Sequence, residues 1–549
     1  MSQDLSQNKK QAGRRGQEAG IAQAGQNHDN TGTHIGGITD NDIDTAYQDA
    51  LRWIHSSMRF GSKLGLERIS SLLELLGNPQ NNTKFIHVAG TNGKGSVTSI
   101  AASILKEAGF RTGMYISPYL EDYRERIMLN GRKIPKDKIV GLVGQVRHAV
   151  EQLIKEGFEH PTEFEINTAL AFLYFAQEDC DYVALEVGMG GRFDATNVVT
   201  PVVSVITTID FDHMDRLGNR LSEIAFEKAG IIKPGVPVVT GAVEKEALDV
   251  IRRRASECGS SLTVVGNAPQ LTGKLPGTGC PDNGCNSTLV DGLPVAGVTW
   301  KEAPRRQLDT SGTQRDLAIL DGQVVSISGP GFEYRNLHLP LLGKHQQLNA
   351  ALAVAALKVA QVKHANRPHV SRMQCANQPH SSGSSGLDSI ALDEQAIRTG
   401  IAKAAWPGRL EVMHKDPVII LDGAHNPQGA RVLAEFIKEL SDRKIVCVYG
   451  ILSDKCYKES TSLIAPLCDE MIVTRPQTPR ALDPKLLASE VAKHTEKVSV
   501  EADCGKAMEL ALTRVSSRDV VLCCGSLYLV GPVRTYIRNK FGISPYGGE

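Results

Sequence analysis

The chain has 549 residues with 61 Lys and Arg balanced by 61 Asp and Glu. This balance argues against a nucleic-acid-binding protein held mainly by phosphate contacts, and the length suits two or three domains. No apolar run is long enough to span a bilayer, and the N-terminus has no apolar signal core. Eleven thinly spread cysteines indicate reduced thiols rather than a disulfide framework. We therefore expect a cytoplasmic protein that binds neither nucleic acid nor membrane.

The N-terminal part divides into a polar tail and a helical segment. Residues 1–42 are rich in Gln, Gly, Asn and Ser, with almost no large apolar residues, so a disordered tail is expected. From Tyr47 to Leu76 apolar residues recur at helical spacing, and the turn residues Gly77 to Pro79 end the segment.

The stretch from Phe85 to Ser96 combines a short apolar strand, a loop with three glycines and the start of a helix. This arrangement binds phosphate, because glycines let backbone N–H groups approach the anion, the helix N-terminus is positive and Lys94 adds a charge. The spacing differs from the pattern G-x-x-x-x-G-K-[ST], since Gly95 separates Lys94 from Ser96. The alternative is a glycine-rich turn with a solvated lysine.

Polar side chains then follow or interrupt three apolar strands. Ser117 ends the strand Thr112–Ile116, where its hydroxyl would lie near the phosphate site as an oxygen ligand of the kind Mg²⁺ prefers. Glu186 lies inside the strand Tyr182–Val187, where a carboxylate is costly unless it binds a cation or pairs with Arg192. The acidic stretch with His213 that follows Val202–Ile209 fits a metal or phosphate site.

The helix after this acidic stretch places Lys228 on its core-facing stripe, at heptad-like spacing from Leu221, Ile224 and Ala225. An inward-pointing lysine needs a partner. One explanation is a salt bridge, which residue physics alone favours, because structural ion pairs are frequent. The other is carbamylation by CO₂, which converts the cation into an anion that helps to bind metal.

Further along the chain, Thr162 and Glu165 form a capping box that opens a helix, which is a sufficient structural reason for both. Residues 266–318 and 363–388 are predicted to be surface loop insertions, because they are rich in turn-forming and polar residues without sustained periodicity. An alanine-rich helix through Val362 lies between them.

The C-terminal part alternates strands and helices, which predicts a mostly parallel, doubly wound sheet. Its first strand, Val418–Leu421, runs into a loop in which Asn426 caps the next helix and Pro427 occupies the first turn. Capping explains neither Asp422 nor His425, which sit at the ligand-facing strand end.

Together these segments resemble the folylpolyglutamate synthase / dihydrofolate synthase family of the Mur ligase superfamily. The resemblance implies an α/β protein with a P-loop-type Mur ligase central domain at 43–404 and a smaller Rossmann-like C-terminal domain at 405–549. Matching motifs occur in family order over about residues 45–545, apart from the two insertions: Leu64–Arg68, Gly90–Ser96, Ser117–Pro118, Glu125–Ile127, Leu185–Asn197, Asp212–His213, Glu227–Ile231, His345–Asn349, Pro407–Arg409 and Asp422–Pro427.

The resemblance also implies the reaction. ATP phosphorylates a pterin-linked carboxylate, and the amine of L-glutamate attacks the acyl phosphate to form an amide. Mg²⁺ and lysine offset the charge of the two anions, ATP and carboxylate. The substrates implied are ATP, L-glutamate, dihydropteroate and reduced folates, and the family is usually monomeric. Asn92 argues against a purely polyglutamylating enzyme of the eukaryotic type, because those enzymes typically carry Lys at this position. It leaves open whether the protein catalyses one or both glutamylation steps.

The same resemblance assigns residues of this chain to four roles. ATP contacts are expected from Thr91, Asn92, Gly93, Lys94, Gly95, Ser96, Asn349, Arg409 and Asp422. Mg²⁺ ligands are expected to be Ser117, Glu186 and His213, and Lys228 matches the lysine that is carbamylated in the family, which reverses the preference for a salt bridge. His425 is expected near the γ-phosphate, as a catalytic group with Lys94 and Lys228. Pterin segments match Ser62, Lys63, Leu64, Thr162, Glu163, Phe164, Glu165, Phe193, Asp194 and Ala195, whereas Tyr119 departs from the family's usual histidine.

Two other classes of protein are weighed against this assignment. A cell-wall Mur ligase is expected to carry an N-terminal UDP-binding domain of about 100 residues, a typical domain size. The sequence before Phe85 is too short and too polar for such a domain. An NTP-driven switch would hydrolyse ATP without needing a pterin substrate. The dependence of ADP release on the pterin therefore separates such a switch from a ligase that acts on a pterin.

The insertion 363–388 gives a first prediction. Its deletion is expected to leave turnover nearly unchanged, because the segment carries no matched motif and no apolar periodicity. Steady-state kcat of the deletion variant and the full chain would be compared. A collapse in kcat without loss of folded protein contradicts the prediction.

Overall fold

The computed structural model describes residues 39–61, 65–212, 214–267, 287–290, 293–302, 319–360 and 392–548. In these ranges the helices are α1 Asp40–Ser56, α2 Glu67–Leu75, α3 Lys94–Glu107, α4 Lys136–Lys155, α5 Glu163–Gln177, α6 Met214–Leu217, α7 Leu221–Ala229, α8 Lys245–Glu257, α9 Lys344–Val359, α10 Glu394–Ala402, α11 Pro427–Lys438, α12 Tyr457–Ile464, α13 Pro484–Val491, α14 Cys504–Thr513 and α15 Leu527–Phe541.

The strands in the same ranges are β1 Lys84–Ala89, β2 Thr112–Tyr115, β3 Ile127–Leu129, β4 Arg132–Lys133, β5 Tyr182–Glu186, β6 Val203–Ile206, β7 Val238–Thr240, β8 Leu262–Asn267, β9 Ser287–Val290, β10 Leu293–Glu302, β11 Gln323–Gly329, β12 Phe332–Leu339, β13 Glu411–Lys415, β14 Val418–Asp422, β15 Ile445–Tyr449, β16 Glu470–Val473, β17 Val498–Val500 and β18 Val520–Cys524.

The strands form two sheets, one in each lobe of the molecule. The larger sheet has the order β12-β11-β10-β8-β7-β6-β1-β5-β2-β3-β4, with β9 paired to β10, and its central strands from β10 to β2 run parallel. The smaller sheet has the order β13-β14-β18-β15-β16-β17 and is parallel except for β13. The predicted α/β class with a doubly wound C-terminal sheet is confirmed.

Helices cover both faces of the larger sheet. On one face, α3, α9 and α10 enclose a core that includes Ile100, Ile104 and Ile397, all of them fully buried. The five alanines of α9 between residues 350 and 356 are also fully buried, and these small side chains let the helix lie close to the sheet and to α3. On the other face, α1, α2, α4 and α5 pack around Phe85 and Phe172. This double layer holds β1 and the loop that follows it.

The smaller sheet is covered in the same way. Helices α11, α12 and α13 pack on one face, and α14 and α15 pack on the other. Asn426 caps α11 by accepting a 2.8 Å hydrogen bond from the N–H of Gly429, and Pro427 opens its first turn, as predicted. Capping therefore fixes the loop between β14 and α11, which carries Asp422 and His425.

Three predictions about chain organisation were wrong in part. Helix α1 begins at Asp40, inside the predicted tail, because Thr39 and Asp42 form a capping box. The helical segment expected from Tyr47 to Leu76 is two helices, α1 and α2, separated at Gly61. The predicted loop 266–318 contains β9 and β10, because β10 finds hydrogen-bonding partners in β8 and β11 that outweigh the glycines and prolines nearby. Residues 1–38 and 361–391 lie outside the described ranges.

The two lobes are joined by a buried arginine. The Arg534 guanidinium, on α15, bonds the Glu411 carboxylate at 2.9 Å and also pairs with Glu121 of the larger lobe, which in turn accepts a hydrogen bond from Thr535. Because Arg534 is only 5 % exposed, its charge depends on both carboxylates. None of the helices in the described ranges is both long and apolar enough to cross a membrane.

Candidate active site

The predicted phosphate loop joins β1 to α3 at the carboxyl edge of the larger sheet. Its backbone is fixed from behind, since the Thr207 hydroxyl donates a 2.6 Å hydrogen bond to the Asn92 carbonyl. Gly93 has a φ of +87°, and a side chain there would collide with the Asn349 amide. The glycine therefore lets Asn349, a predicted ATP contact, approach the loop closely.

Lys94 lies over the loop that precedes it. Its ammonium group donates hydrogen bonds to the carbonyls of Gly90 and Thr91, both at 3.1 Å. Because Lys94 is also the first residue of α3, its charge and the positive helix terminus act at the same place. The loop thus presents the positive potential that a phosphate needs.

Glu186 lies beside the loop, at the end of β5, and is 5 % exposed. One carboxylate oxygen accepts a 3.0 Å hydrogen bond from the backbone N–H of Ser117. Burial raises the pKa of Glu186, and the positive charge of Lys94 opposes that rise. The alternative ion pair with Arg192 is not present among the described residues, because the Arg192 guanidinium lies 3.8 Å from Glu227 instead.

Lys228 is buried beneath the same loop, with 4 % exposure. Its ε-amine donates a 2.9 Å hydrogen bond to the Gly90 carbonyl, and within the described part of the chain no carboxylate lies within salt-bridge distance. Burial, followed by the charge of Lys94, lowers the pKa of Lys228 to about 7. The predicted inward orientation is confirmed, whereas the salt-bridge explanation is not supported by these contacts.

The smaller lobe contributes a second set of polar groups. The Asp422 carboxylate accepts hydrogen bonds from the N–H groups of Leu410 and Ala424, both at 2.8 Å. Burial raises the pKa of Asp422, which the positive charge of Arg409 opposes. Asp422 and Arg409 therefore stand together at the strand end that faces the phosphate loop.

His425 follows Asp422 in the same loop. Its Nδ1 bonds the Gly423 carbonyl at 2.8 Å, so Nδ1 carries the proton and Nε2 is the acceptor of the neutral ring. Burial, followed by the charge of Lys455, lowers the pKa of His425 to about 4. The imidazole is therefore neutral at physiological pH.

Polar contacts cross from one lobe to the other around His425. Asn92 of the phosphate loop donates hydrogen bonds to Asn426, at 3.3 Å, and to Gln428. Lys455, after β15, forms a 2.9 Å ion pair with Asp212 of the larger lobe, and both side chains are largely buried. These contacts hold the two strand ends face to face.

Two cavities meet at this contact between the two lobes, which is called the seam below. The first, of about 260 Å³, is lined by all the predicted ATP contacts: Thr91, Asn92, Gly93, Lys94, Gly95, Ser96, Asn349, Arg409 and Asp422. The second, of about 820 Å³, lies between the lobes and is called the substrate cleft below. The two cavities share Ser117, Pro118, Gly188, His425 and Leu527. Glu186 also lines the first cavity, so the residues predicted to bind phosphate and the carboxylate predicted to bind Mg²⁺ lie around one cavity.

Most of the predicted pterin residues line the substrate cleft: Thr162, Phe164, Glu165, Phe193, Asp194 and Ala195. Their polar groups are largely used within the fold. Glu165 completes the predicted capping box with Thr162 and pairs with Arg68 at 3.2 Å. Glu163, in contrast, pairs with His55 at 3.3 Å. Ser62, Lys63, Leu64 and His213 lie outside the described residues.

Sequence reasoning missed several residues of these cavities. Trp406, His345 and Tyr546 line the first cavity, and Lys455, Arg480 and Tyr528 line the substrate cleft. His345 lies within a matched motif, so it carried a positional signal. Tyr546 carried none, because nothing in its neighbourhood indicates that the C-terminal residues return to the phosphate loop.

The oxygen donors at the seam suit Mg²⁺. The described residues contain no group of three or more His, Cys, Asp or Glu side chains able to enclose a metal ion. A single buried carboxylate, Glu186, beside the hydroxyl-bearing Ser117 matches a cation that keeps water and phosphate oxygens as its remaining ligands.

Comparison with known proteins places this geometry in a family. Residues 88–258 match the Mur ligase middle domain, and residues 408–527 match the Mur ligase glutamate ligase domain. The two matched ranges contain the phosphate loop and the loop with Asp422 and His425. Both halves of the seam thus belong to recognised Mur ligase domains.

Relatives similar over nearly the whole chain narrow the assignment. The dihydrofolate synthase/folylpolyglutamate synthase of Bacillus subtilis is 36 % identical over 90 % of this chain and all of its own length. A crystal structure of folylpolyglutamate synthase from Thermotoga maritima superposes with a TM-score of 0.69 at 32 % identity, covering 90 % of this chain and 98 % of that one. Escherichia coli FolC in complex with DHPP and ADP gives a TM-score of 0.70 at 28 % identity, covering 89 % and 98 %. The chain belongs to the dihydrofolate synthase/folylpolyglutamate synthase family of Mur ligases.

Proposed function

We propose that this protein is an ATP-dependent ligase that joins L-glutamate to dihydropteroate and adds γ-glutamyl residues to reduced folates. The observation that carries the proposal is the meeting of a phosphate-loop cavity and a substrate cleft at Ser117 and His425. A carboxylate held in the cleft would meet the terminal phosphate of a nucleotide at that junction. The central and C-terminal domains, 43–404 and 405–549, would each supply one side.

The first step is transfer of the γ-phosphoryl group of ATP to the carboxylate, which gives an acyl phosphate and ADP. Lys94 and the N-terminus of α3 would stabilise charge on the transferred group. Asp422, Arg409 and Asn349 would hold the nucleotide. Ser117 and Glu186, together with His213, would bind Mg²⁺, which supplies charge neutralisation at the phosphates.

The second step is attack of the glutamate amine on the acyl phosphate carbon. The C–N bond forms as the C–O bond to phosphate breaks, and the proton that the amine loses leaves on the released phosphate. His425 is neutral with Nε2 as an acceptor, so it would accept a hydrogen bond from the amine and hold it in line. Lys94 and Mg²⁺ would offset the charge of the two anions, ATP and the carboxylate, and so allow both to bind in one cleft.

Lys228 would act after carbamylation. An amine reacts with CO₂ only when neutral, and the pKa of Lys228, about 7, leaves a large neutral fraction at physiological pH. The carbamate would replace a buried cation next to Lys94 with an anion able to bind the metal.

The setting proposed for this activity is a cytoplasmic monomer. Eight cysteines in the described ranges are free thiols, which suits a reducing compartment. Both lobes come from one chain and complete the seam between them, so the proposed site needs no second copy.

Incubation with ATP, Mg²⁺, L-glutamate and either dihydropteroate or a reduced folate monoglutamate tests the function. Product masses larger by one glutamyl residue in both reactions are expected. A product with dihydropteroate alone would identify a monofunctional dihydrofolate synthase. ADP released equally fast without any pterin would instead favour an NTP-driven switch.

Lys94→Ala is expected to lower kcat by about 10²- to 10³-fold, the usual cost of removing one group that stabilises transition-state charge. The melting midpoint should stay close to that of the wild type, because Lys94 is anchored only to loop carbonyls. Lys106→Ala, an exposed lysine on the same helix, is the matched control and should retain full activity. Equal losses in both variants would count against the role of Lys94.

Lys228→Ala is expected to lower kcat by about 10²-fold, with partial rescue by acetate or formate if an anion is needed at that position. Lys228→Met, which keeps more of the buried volume, separates this loss from the effect of a cavity. In the wild type, added bicarbonate should stimulate activity more at pH 6 than at pH 8, because the amine with a pKa of about 7 is protonated at the lower pH. No rescue by either carboxylate at any concentration would refute the carbamate.

A further inference from the structure

A third cavity, of about 650 Å³, lies beside the substrate cleft and has no part in the proposed mechanism. It is bounded by α6, α7 and α8 and by the chain at Arg192. We call it the arginine groove, defined by Arg192, Arg216, Phe226, Arg253 and Arg254. Three carboxylates, Glu223, Glu227 and Glu257, line it as well, so the four arginines exceed them by one positive charge, which suits an anionic ligand.

The arginine groove is continuous with the substrate cleft. Arg216, Leu217 and Glu227 line both. Gly190 lies on the turn that leads from Glu186 to the predicted pterin residues. Leu217 lies against this glycine, since a Cβ added to Gly190 would be 3.2 Å from the Leu217 side chain. The groove therefore opens from the cleft between its phosphate end and its pterin end.

The carboxylates around the groove are engaged within the protein. Glu223 accepts hydrogen bonds from the N–H groups of Asn219 and Arg220, at 2.8 and 3.2 Å, and so caps α7. Glu257 pairs with Arg254 at 3.3 Å. Arg253 is exposed, and among the described residues no carboxylate lies within ion-pair distance of it. Its guanidinium is thus available to an anion from outside the protein.

An exposed aromatic ring completes the groove. Phe226 is 50 % exposed, and the Arg192 guanidinium stacks 3.6 Å from its ring centroid. The backbone N–H of Arg192 donates a 2.8 Å hydrogen bond to the Glu227 carbonyl, which fixes the arginine over the ring. A half-exposed ring held under a cation offers a preformed surface for the methylenes of an anionic chain.

Elongation of a folate creates a chain of that kind. Each added γ-glutamyl residue contributes one α-carboxylate and a methylene spacer, while the terminal γ-carboxylate must still reach His425 and the phosphate loop. If the pterin stays against Thr162 and Ala195, the growing tail has to leave the cleft between these two fixed ends. The entrance of the arginine groove is located there.

We propose that the arginine groove binds the γ-glutamyl tail of folates that already carry several glutamates, with Arg253 pairing with an α-carboxylate and the neighbouring arginines adding positive potential. The inference rests on the proposed function, since only an elongating enzyme meets such substrates. The arginine groove would thus extend the substrate cleft for folates that carry more than one glutamate.

The test measures dissociation constants of the full chain for pteroylmonoglutamate and pteroyltri-γ-glutamate, in wild type and in Arg253→Ala, Arg253→Glu and Arg253→Ala/Arg254→Ala. The wild type is expected to bind the triglutamate more tightly. Arg253→Ala should weaken triglutamate binding about three-fold and the double variant about ten-fold, as expected for exposed charge pairs, with monoglutamate binding unchanged. Arg253→Glu should weaken it further.

Lys245→Ala, an exposed lysine at the other end of α8, is the control and should leave both constants unchanged. Equal affinity of the wild type for the two ligands, or equal weakening of both in the Arg253 variants, would overturn the inference. Ligation of dihydropteroate by the same proteins reports on the proposed function separately, because the binding comparison requires no turnover.

Discussion

Two lysines bond the same carbonyl oxygen. Lys94 and Lys228 both donate hydrogen bonds to the carbonyl of Gly90, at 3.1 and 2.9 Å. Lys228 is buried and Lys94 is only partly buried, and the pKa of Lys228 falls to about 7, first because of its burial and then because of the charge of Lys94. The loop therefore has beneath it an amine, Lys228, whose charge depends on what binds nearby. Gly90 has a φ of +146°, a conformation that other residues rarely adopt, and a side chain there would collide with Thr207.

The remaining polar contacts of the seam orient the second lobe against this loop. Asn92 reaches Asn426 and Gln428, while Lys455 reaches Asp212. The Asn426 side chain both caps α11 and faces the phosphate loop, so the helix start and the lobe contact are stabilised together. Arg534 adds a largely buried pair of ion contacts away from the cavities. Contacts of this kind fix the orientation of one lobe against the other, because a buried charge that loses its partner in another orientation is energetically costly.

Local features of the site were predictable from the sequence, and contacts between distant segments were not. The strand and glycine loop, the inward-facing Lys228 and the caps at Thr162 and Asn426 follow from periodicity and hydrogen-bonding chemistry within a few residues. The partner of Lys228, the ion pair of Lys455 and the position of Tyr546 depend on how the lobes meet, which no short pattern encodes. Strand β10 escaped prediction for a related reason, because its pairing with β8 and β11 is tertiary. Family resemblance supplied the residue roles, and these roles remain proposals.

The distribution of charge along the substrate cleft depends on which carboxylates are already hydrogen-bonded or ion-paired within the fold. At the end lined by the predicted pterin residues, Glu165 bonds Thr162 and Arg68, and Asp194 accepts hydrogen bonds from Met189 and Thr196. Phe164 and the half-exposed Phe193 are left as the contact surface, which suits a flat, neutral ring. At the other end, Lys455 and Arg480 stand beside the neutral His425. The cleft can therefore orient a substrate with an aromatic head and an anionic end before ATP reacts. A longer anionic end needs more cationic side chains to bind it, and no additional apolar surface.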